Sequence, residues 1–270
     1  MEIDLKTESG RARALSLATQ ADVLIEGFRP GVMERLSLGP KECQERNPRL
    51  VYGRMTGWGQ DGPLAQQAGH DINYIALTGA LHAIGTAAQP IPPLNVVGDF
   101  GGGGAFLAMG VLAAVLESRT LGRGRVVDAA MVDGSASLMA MAYSRMHMGQ
   151  WRDERASNVL DGGAPWYNTY RTLDNRFMAV GAIEPQFYSQ FVTGLGLHEA
   201  ALPARTDQAN WPALKAKFAS IFQTRTRNDW AAHFLHWDAC VSPVLTMTEA
   251  PDHPHLAARS TFASWAGKPV

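Results

Sequence analysis

The sequence predicts an α/β fold built on a parallel sheet, followed by a smaller α+β unit. Three observations carry that expectation. Short apolar strands alternate with helical stretches through the first half of the chain. Four consecutive glycines, 101–104, run into a long apolar stretch that suits a buried helix. At about Thr169 the alternation gives way to a hairpin pattern with a tight turn.

The elements follow in order. Residues 10–20 have helical spacing, and 21–27 (ADVLIEG) read as a short buried strand. The turn Arg29-Pro30-Gly31 leads into short helices at 32–36 and 41–46, then a strand at 50–55. Residues 56–68 are rich in Gly and Gln and read as a functional surface loop. Residues 91–97 lead to Gly98-Asp99-Phe100 and the glycine run, with a helix at 105–118 behind it. GRGR at 122–125 turns the chain into a strand at 126–130. The Met- and Ala-rich stretch 132–149 reads as a helix packed on both sides, its methionines filling a core. Residues 170–173 and 176–180 form the hairpin, with helices expected at 185–195, 211–222 and 226–237 and a strand at 241–244. The expected boundaries are a large domain at 1–131, a linker at 132–168, a small domain at 169–256 and a return segment at 257–270.

Composition narrows the function. The 270 residues are 46% hydrophobic and 18% charged, ordinary globular usage that needs neither disulfides nor metal. A formal charge of −1 gives no electrostatic reason to expect nucleic acid or an acidic membrane surface. Cys43 and Cys240 show no pairing pattern and read as reduced thiols. The longest apolar run, 106–116, is too short for a membrane span, and no signal-peptide core precedes the first helix. A cytoplasmic protein is the expectation.

Three segments could carry chemistry. The glycine run beside Asp99 permits close approach of a ligand to the backbone, and its N–H groups at a helix start would hold an anion. The competing reading is tight helix packing with Asp99 as a cap. His70, in GHDINY at 69–74, is a candidate general base that Asp71 and Asn73 could orient. Glu184 stands where a strand ends and a helix opens, a place that suits a pocket and an N-terminal helix charge equally. His233, His236, Asp238 and Cys240 lack the ligand spacing of a zinc site and read as a helix end. His253 and His255 read as a solvated loop, and Ser135 and Ser137 lack the Gly-x-Ser-x-Gly elbow of a serine hydrolase.

Six runs together resemble the α-methylacyl-CoA racemases of the family III CoA-transferase (CaiB/BaiF) superfamily. They are ADVLIEGFRPGVMERLSLGP at 21–40, RMTGWGQDGPLAQQAGHDINYIAL at 54–77, PPLNVVGDFGGGGAFL at 92–107, GRVVDAAMVDG at 124–134, LDGGAPWYNTY at 160–170 and VGAIEPQFY at 180–188. GHDINY, GDFGGG and GAIEPQFY are the most specific. The resemblance implies a Rossmann-like CoA-binding lobe, a smaller lobe, and an interlocked homodimer with the site between the lobes. It implies that His70, paired with Glu184, and Asp99 are the two proton acceptors. It also implies CoA donors at Gly27, Phe28, Arg29, Arg35 and Gly69, and at Asp71, Ile72, Asn73 and Tyr74. The enolate oxygen would be held by backbone N–H groups at Asp99, Gly101 and Gly102. The substrate would be an acyl-CoA thioester, with no cofactor beyond its own CoA and no metal. Two other activities stay open: a CoA-transferase with Asp99 as nucleophile, and a non-catalytic CoA-binding subunit. The third reading has a motive, because such proteins begin with further strand and helix units. At least one βα unit, roughly thirty residues, is expected ahead of Met1.

Overall fold

The computed structural model describes residues 2–265 and 268–269, so the expected return segment at 257–270 lies partly outside the described residues. The chain divides into two compact units, Met1–Arg155 and Ala156–Val270. Residues 132–168 are thereby shared between the units.

In the first unit, Thr7 caps α1 (Glu8–Ala18), its Oγ1 accepting the Gly10 N–H at 3.0 Å. Strand β1 (Val23–Glu26) is followed by α2 (Val32–Arg35), α3 (Pro40–Arg46) and β2 (Val51–Thr56). Next come α4 (Asp71–Leu77), α5 (Ala80–Ala83), a π-helix (Val96–Ala105) and α6 (Phe106–Leu121). Strand β3 (Val126–Ala130), α7 (Met131–Leu138) and α8 (Ala140–His147) complete the unit. The three strands form a parallel sheet in the order β1-β2-β3, as the alternation of elements predicts. Side chains alternate across it. Val51 and Ala129 pack against Leu107, Val111 and Ala114 of α6. On the opposite face Tyr52 packs with Ala18, Cys43 and Leu50, and its hydroxyl donates to the Leu38 carbonyl at 2.8 Å.

Three expectations are corrected in this unit. The glycines do not stand at the start of the apolar helix but inside a helix of their own. The π-helix and α6 join into one apolar rod, Val96–Leu121, 26 residues long and long enough by length and composition to cross a membrane. Its buried side chains, Leu107, Val111, Ala114 and Ser118, face the unit's own interior. Second, the Met-rich stretch is two helices rather than one, broken at Met139. Third, it is not core: α8 has no buried residue, and Met141, Met146 and Met148 are exposed. Methionine content alone cannot say which side of a helix meets a neighbour. The helices α4 and α5 had no clear signal, because exposed Ile72 and Leu77 blur the apolar face of α4.

The second unit is built on β4 (Tyr167–Arg171) and β5 (Phe177–Gly181), antiparallel, with β6 (Val241–Pro243) on the far side of β5. The hairpin turns at Asp174-Asn175, with Asn175 at φ 60°, a conformation asparagine tolerates. Helices α9 (Pro185–Gly194), α10 (Trp211–Phe222) and α11 (Arg227–Phe234) cover the sheet with a largely aromatic core. Phe191 meets Phe218 edge to face at 5.1 Å, and Tyr170 stacks on Phe222 at the same separation. His233, weighed above as a metal ligand, has its Nε2 at 2.8 Å from the Gly194 carbonyl oxygen and joins this aromatic cluster.

Candidate active site

Two adjoining cavities in the first unit hold half of the site residues singled out in the sequence. One, of about 420 Å³, is lined by His70, Asp99, Tyr74, Asn95, Met55 and Met131, among others. The other, of about 380 Å³, is lined by Gly27, Phe28, Arg29, Thr56, Trp58 and Gln67, among others. Gly69, His70 and Tyr74 border both. The histidine therefore stands at the junction, with the carboxylate on one side and the predicted CoA turn on the other.

Local chemistry explains how His70 comes to be there. It is the N-cap of α4, with extended backbone at φ −132° and ψ 172°. Its backbone N–H donates to Asn73 Oδ1 at 3.0 Å, and the Asn73 N–H donates to the His70 carbonyl at 2.8 Å. Asn73 thus fixes the histidine backbone. The first-turn N–H groups of Asp71 and Ile72 have no acceptor among the described residues. Tyr74, buried, donates its hydroxyl to the Gly69 carbonyl and meets Trp58 edge on at 4.7 Å. Burial first, and the Asp99 charge second, push its phenol above the ordinary range, so it stays protonated.

Asp99 is held from two directions. Asn95 Nδ2 donates to its Oδ2 at 3.2 Å, and its own backbone N–H donates to Asp71 Oδ2 at 2.7 Å. Asp71 is 5% exposed, and its other oxygen, Oδ1, has no hydrogen-bond partner among the described residues. This carboxylate ties the His70 segment to the Asp99 segment, a role the sequence reading did not assign to it. A Cβ on Gly98 would stand 2.5 Å from Asp71 Oδ2, so glycine is what allows the approach. Removing the carboxylate in Asp71→Ala leaves the Asp99 N–H without its partner. Denaturant unfolding should show a loss of about 1–3 kcal/mol, with unchanged stability as the contrary result.

The glycine run is not an anion cradle. Gly101 and Gly102 lie inside the π-helix, where N–H groups bond to carbonyls five residues back. The Asp99 N–H is engaged by Asp71. The predicted enolate donors at Asp99, Gly101 and Gly102 are thus already spent. The glycines serve close packing instead. Gly102 is buried where a Cβ would meet the Ser135 N at 2.6 Å.

Arg35 lies on α2, exposed, with its Nη1 3.2 Å from where a Gly31 Cβ would be, and it does not line either cavity. Glu184 belongs to the second unit, where it is the exposed N-cap of α9 and makes no capping bond with its side chain. Arg205, which the sequence reading missed, supports this end of the strand. It donates to the Ile183 carbonyl at 3.0 Å, its guanidinium lying 4.3 Å from the Tyr188 ring centre and 5.1 Å from that of Trp166. Nothing in the spacing of this arginine marked it; only the aromatic platform does.

The model of CoA-transferase family III matches residues 1–269. The chain is 47% identical to α-methylacyl-CoA racemase of Mus musculus over 97% of its own length and 69% of that protein. It is also 47% identical to the Homo sapiens α-methylacyl-CoA racemase, over 96% of this chain and 68% of that one. A crystal structure of Rv3272 from M. tuberculosis superposes with a TM-score of 0.77 at 27% identity, covering 99% of this chain and 72% of that one. With the parallel sheet and the GHDINY and GDFGGG runs lining one cavity, these findings show that the chain belongs to CoA-transferase family III.

Proposed function

We propose that the protein is an α-methylacyl-CoA racemase, exchanging the proton on the carbon beside the thioester of a 2-methylacyl-CoA. The observation that carries the reading is the shared cavity of His70 and Asp99, one imidazole and one carboxyl on the same space. Its second support is the 47% identity to two racemases over nearly the whole chain.

The chemistry needs a base on one face of the α-carbon and an acid on the other. In one direction neutral His70 takes the α-proton, and the C–H electrons move into a planar enolate. Protonated Asp99 then returns a proton to the opposite face and inverts the centre. In the reverse direction ionised Asp99 takes the proton and the His70 imidazolium returns one. Glu184 is assigned, on the family resemblance, to stabilise that imidazolium and to fix the tautomer of the neutral imidazole. The enolate oxygen calls for N–H donors aimed at the cavity. Gly27, Phe28 and Arg29 are assigned to CoA, Arg29 as a phosphate partner. The reaction requires no cofactor or metal. Homodimerisation and a cytoplasmic location belong to the same proposal.

The test uses one epimer of a 2-methylacyl-CoA in deuterated water, following epimer ratio and α-deuterium together. The expected result is loss of epimeric purity with matching deuterium gain. No exchange, with CoA moved to an added carboxylate, would instead make Asp99 a nucleophile and the protein a transferase. Binding of CoA with neither reaction would leave only a CoA-binding protein.

A further inference from the structure

Arg54 is a buried charge that the proton transfer does not use. It lies on the central strand β2, 6% exposed, and its register partner on β1 is Glu26, 5% exposed. Arg54 Nε donates to Glu26 Oε1 at 2.8 Å, while Nη1 and Nη2 donate to Glu34 at 2.7 and 3.3 Å. Taking such charges out of water costs about as much as their attraction returns, and an apolar pair would fill the same strand register. Stability therefore does not explain the triad.

Its connections do. Glu26 Oε2, the oxygen not bonded to Arg54, accepts the Phe28 N–H at 2.7 Å. That bond fixes the turn Gly27-Phe28-Arg29, which borders the cavity beside His70. Phe28 itself is 47% exposed, so little packing holds the turn in place. On its other side the guanidinium grips Glu34 of α2, next in sequence to Arg35. The bond from Arg54 holds the Glu34 carboxyl below its usual range, so the grip persists at neutral pH. A planar fork with fixed N–H directions transmits geometry in a way that a flexible ammonium or an apolar pair does not.

We propose that Arg54, acting through Glu26, is a positioning residue that holds the Gly27–Arg29 turn in the arrangement that receives the phosphate-bearing end of CoA. The inference rests on the CoA site proposed above. It deepens that reading by separating residues that set substrate binding from those that move the proton. The triad touches neither His70 nor Asp99 in the bonds it makes, so its effect falls on affinity for the nucleotide portion.

The experiment compares acyl-CoA with the same acyl group on pantetheine, which lacks the adenosine phosphates. Arg54→Met should raise KM for acyl-CoA about tenfold or more, equivalent to ~1.4 kcal/mol. Calorimetric affinity for free CoA should fall in parallel. The kcat for acyl-CoA, and α-deuterium exchange on the pantetheine thioester, should stay within about twofold of the wild-type values. Glu26→Gln is the second variant should Arg54→Met not fold. It keeps the side-chain size, removes the charge, and should shift the same parameters in the same direction. An unchanged KM and CoA affinity in the folded variants, or an equal loss on both thioesters, would overturn the inference alone. A wild-type protein that binds no CoA would overturn the functional reading and this inference with it.

Discussion

His70→Ala should all but abolish inversion of both epimers of 2-methylacyl-CoA while leaving CoA binding intact. The two faces of the α-carbon need separate proton carriers, and alanine can neither accept nor return a proton. A positioned general acid–base group contributes on the order of 10²–10⁴ in rate, so the epimerisation kcat should fall by at least about a hundredfold. Asp99 remains in the cavity wall. The epimer whose α-proton faces Asp99 should therefore still gain deuterium slowly, with retention. Asp99→Asn should show the reciprocal pattern, retaining exchange only in the other epimer. Epimerisation at the wild-type rate by His70→Ala would remove the histidine from the mechanism. Complementary loss in the two variants is the signature of a two-base site, and a general folding defect would not produce it.

Gly134→Ala should be among the most destabilising single-methyl changes available in this chain. The added Cβ would lie 1.9 Å from the Gly102 carbonyl oxygen and 2.7 Å from the Gly102 Cα. These are backbone atoms of the π-helix, which cannot swing aside as a side-chain end does. Overpacking of this kind costs about 1–3 kcal/mol, occasionally more, and a clash with backbone puts the expectation at ~3 kcal/mol or above. Thermal unfolding should fall by roughly 6–12 °C at 2–4 °C per kcal/mol. The catalytic rate should fall as well, because the π-helix forced away from α7 carries Asp99. A fully stable Gly134→Ala protein would mean that the two helices can separate at little cost.

The two predictions differ in how far the sequence anticipated them. His70 and Asp99 were visible in GHDINY and GDFGGG through the family resemblance, and the structure sets both on one cavity. Strand 126–130, helix 211–222 and the hairpin turn at Asp174-Asn175 were also legible, since each depends on neighbours along the chain. The π-helix was not. Glycine has almost the lowest helix propensity, so a local reading of 98–104 points to a loop. The helix persists there because α7 packs against it at Gly102 and Gly134, a contact between segments distant in sequence.

The same physics divides the candidate site. By itself the sequence determined the α/β class and the order of the strands β1–β6, while His70 and Asp99 as proton carriers came through the family resemblance. The class and the strand order follow from apolar periodicity and turn chemistry. Only the tertiary structure decided what each polar group is engaged with. It turned Asp71 inward onto the Asp99 N–H, spent the glycine amides on a helix, and left the Met-rich face of α8 exposed. It also joined Arg54 through Glu26 to the turn at Phe28. A hydrogen bond reaches about 3 Å and has no sequence signature when its partners come from different elements, so such pairings appear only once the chain has folded.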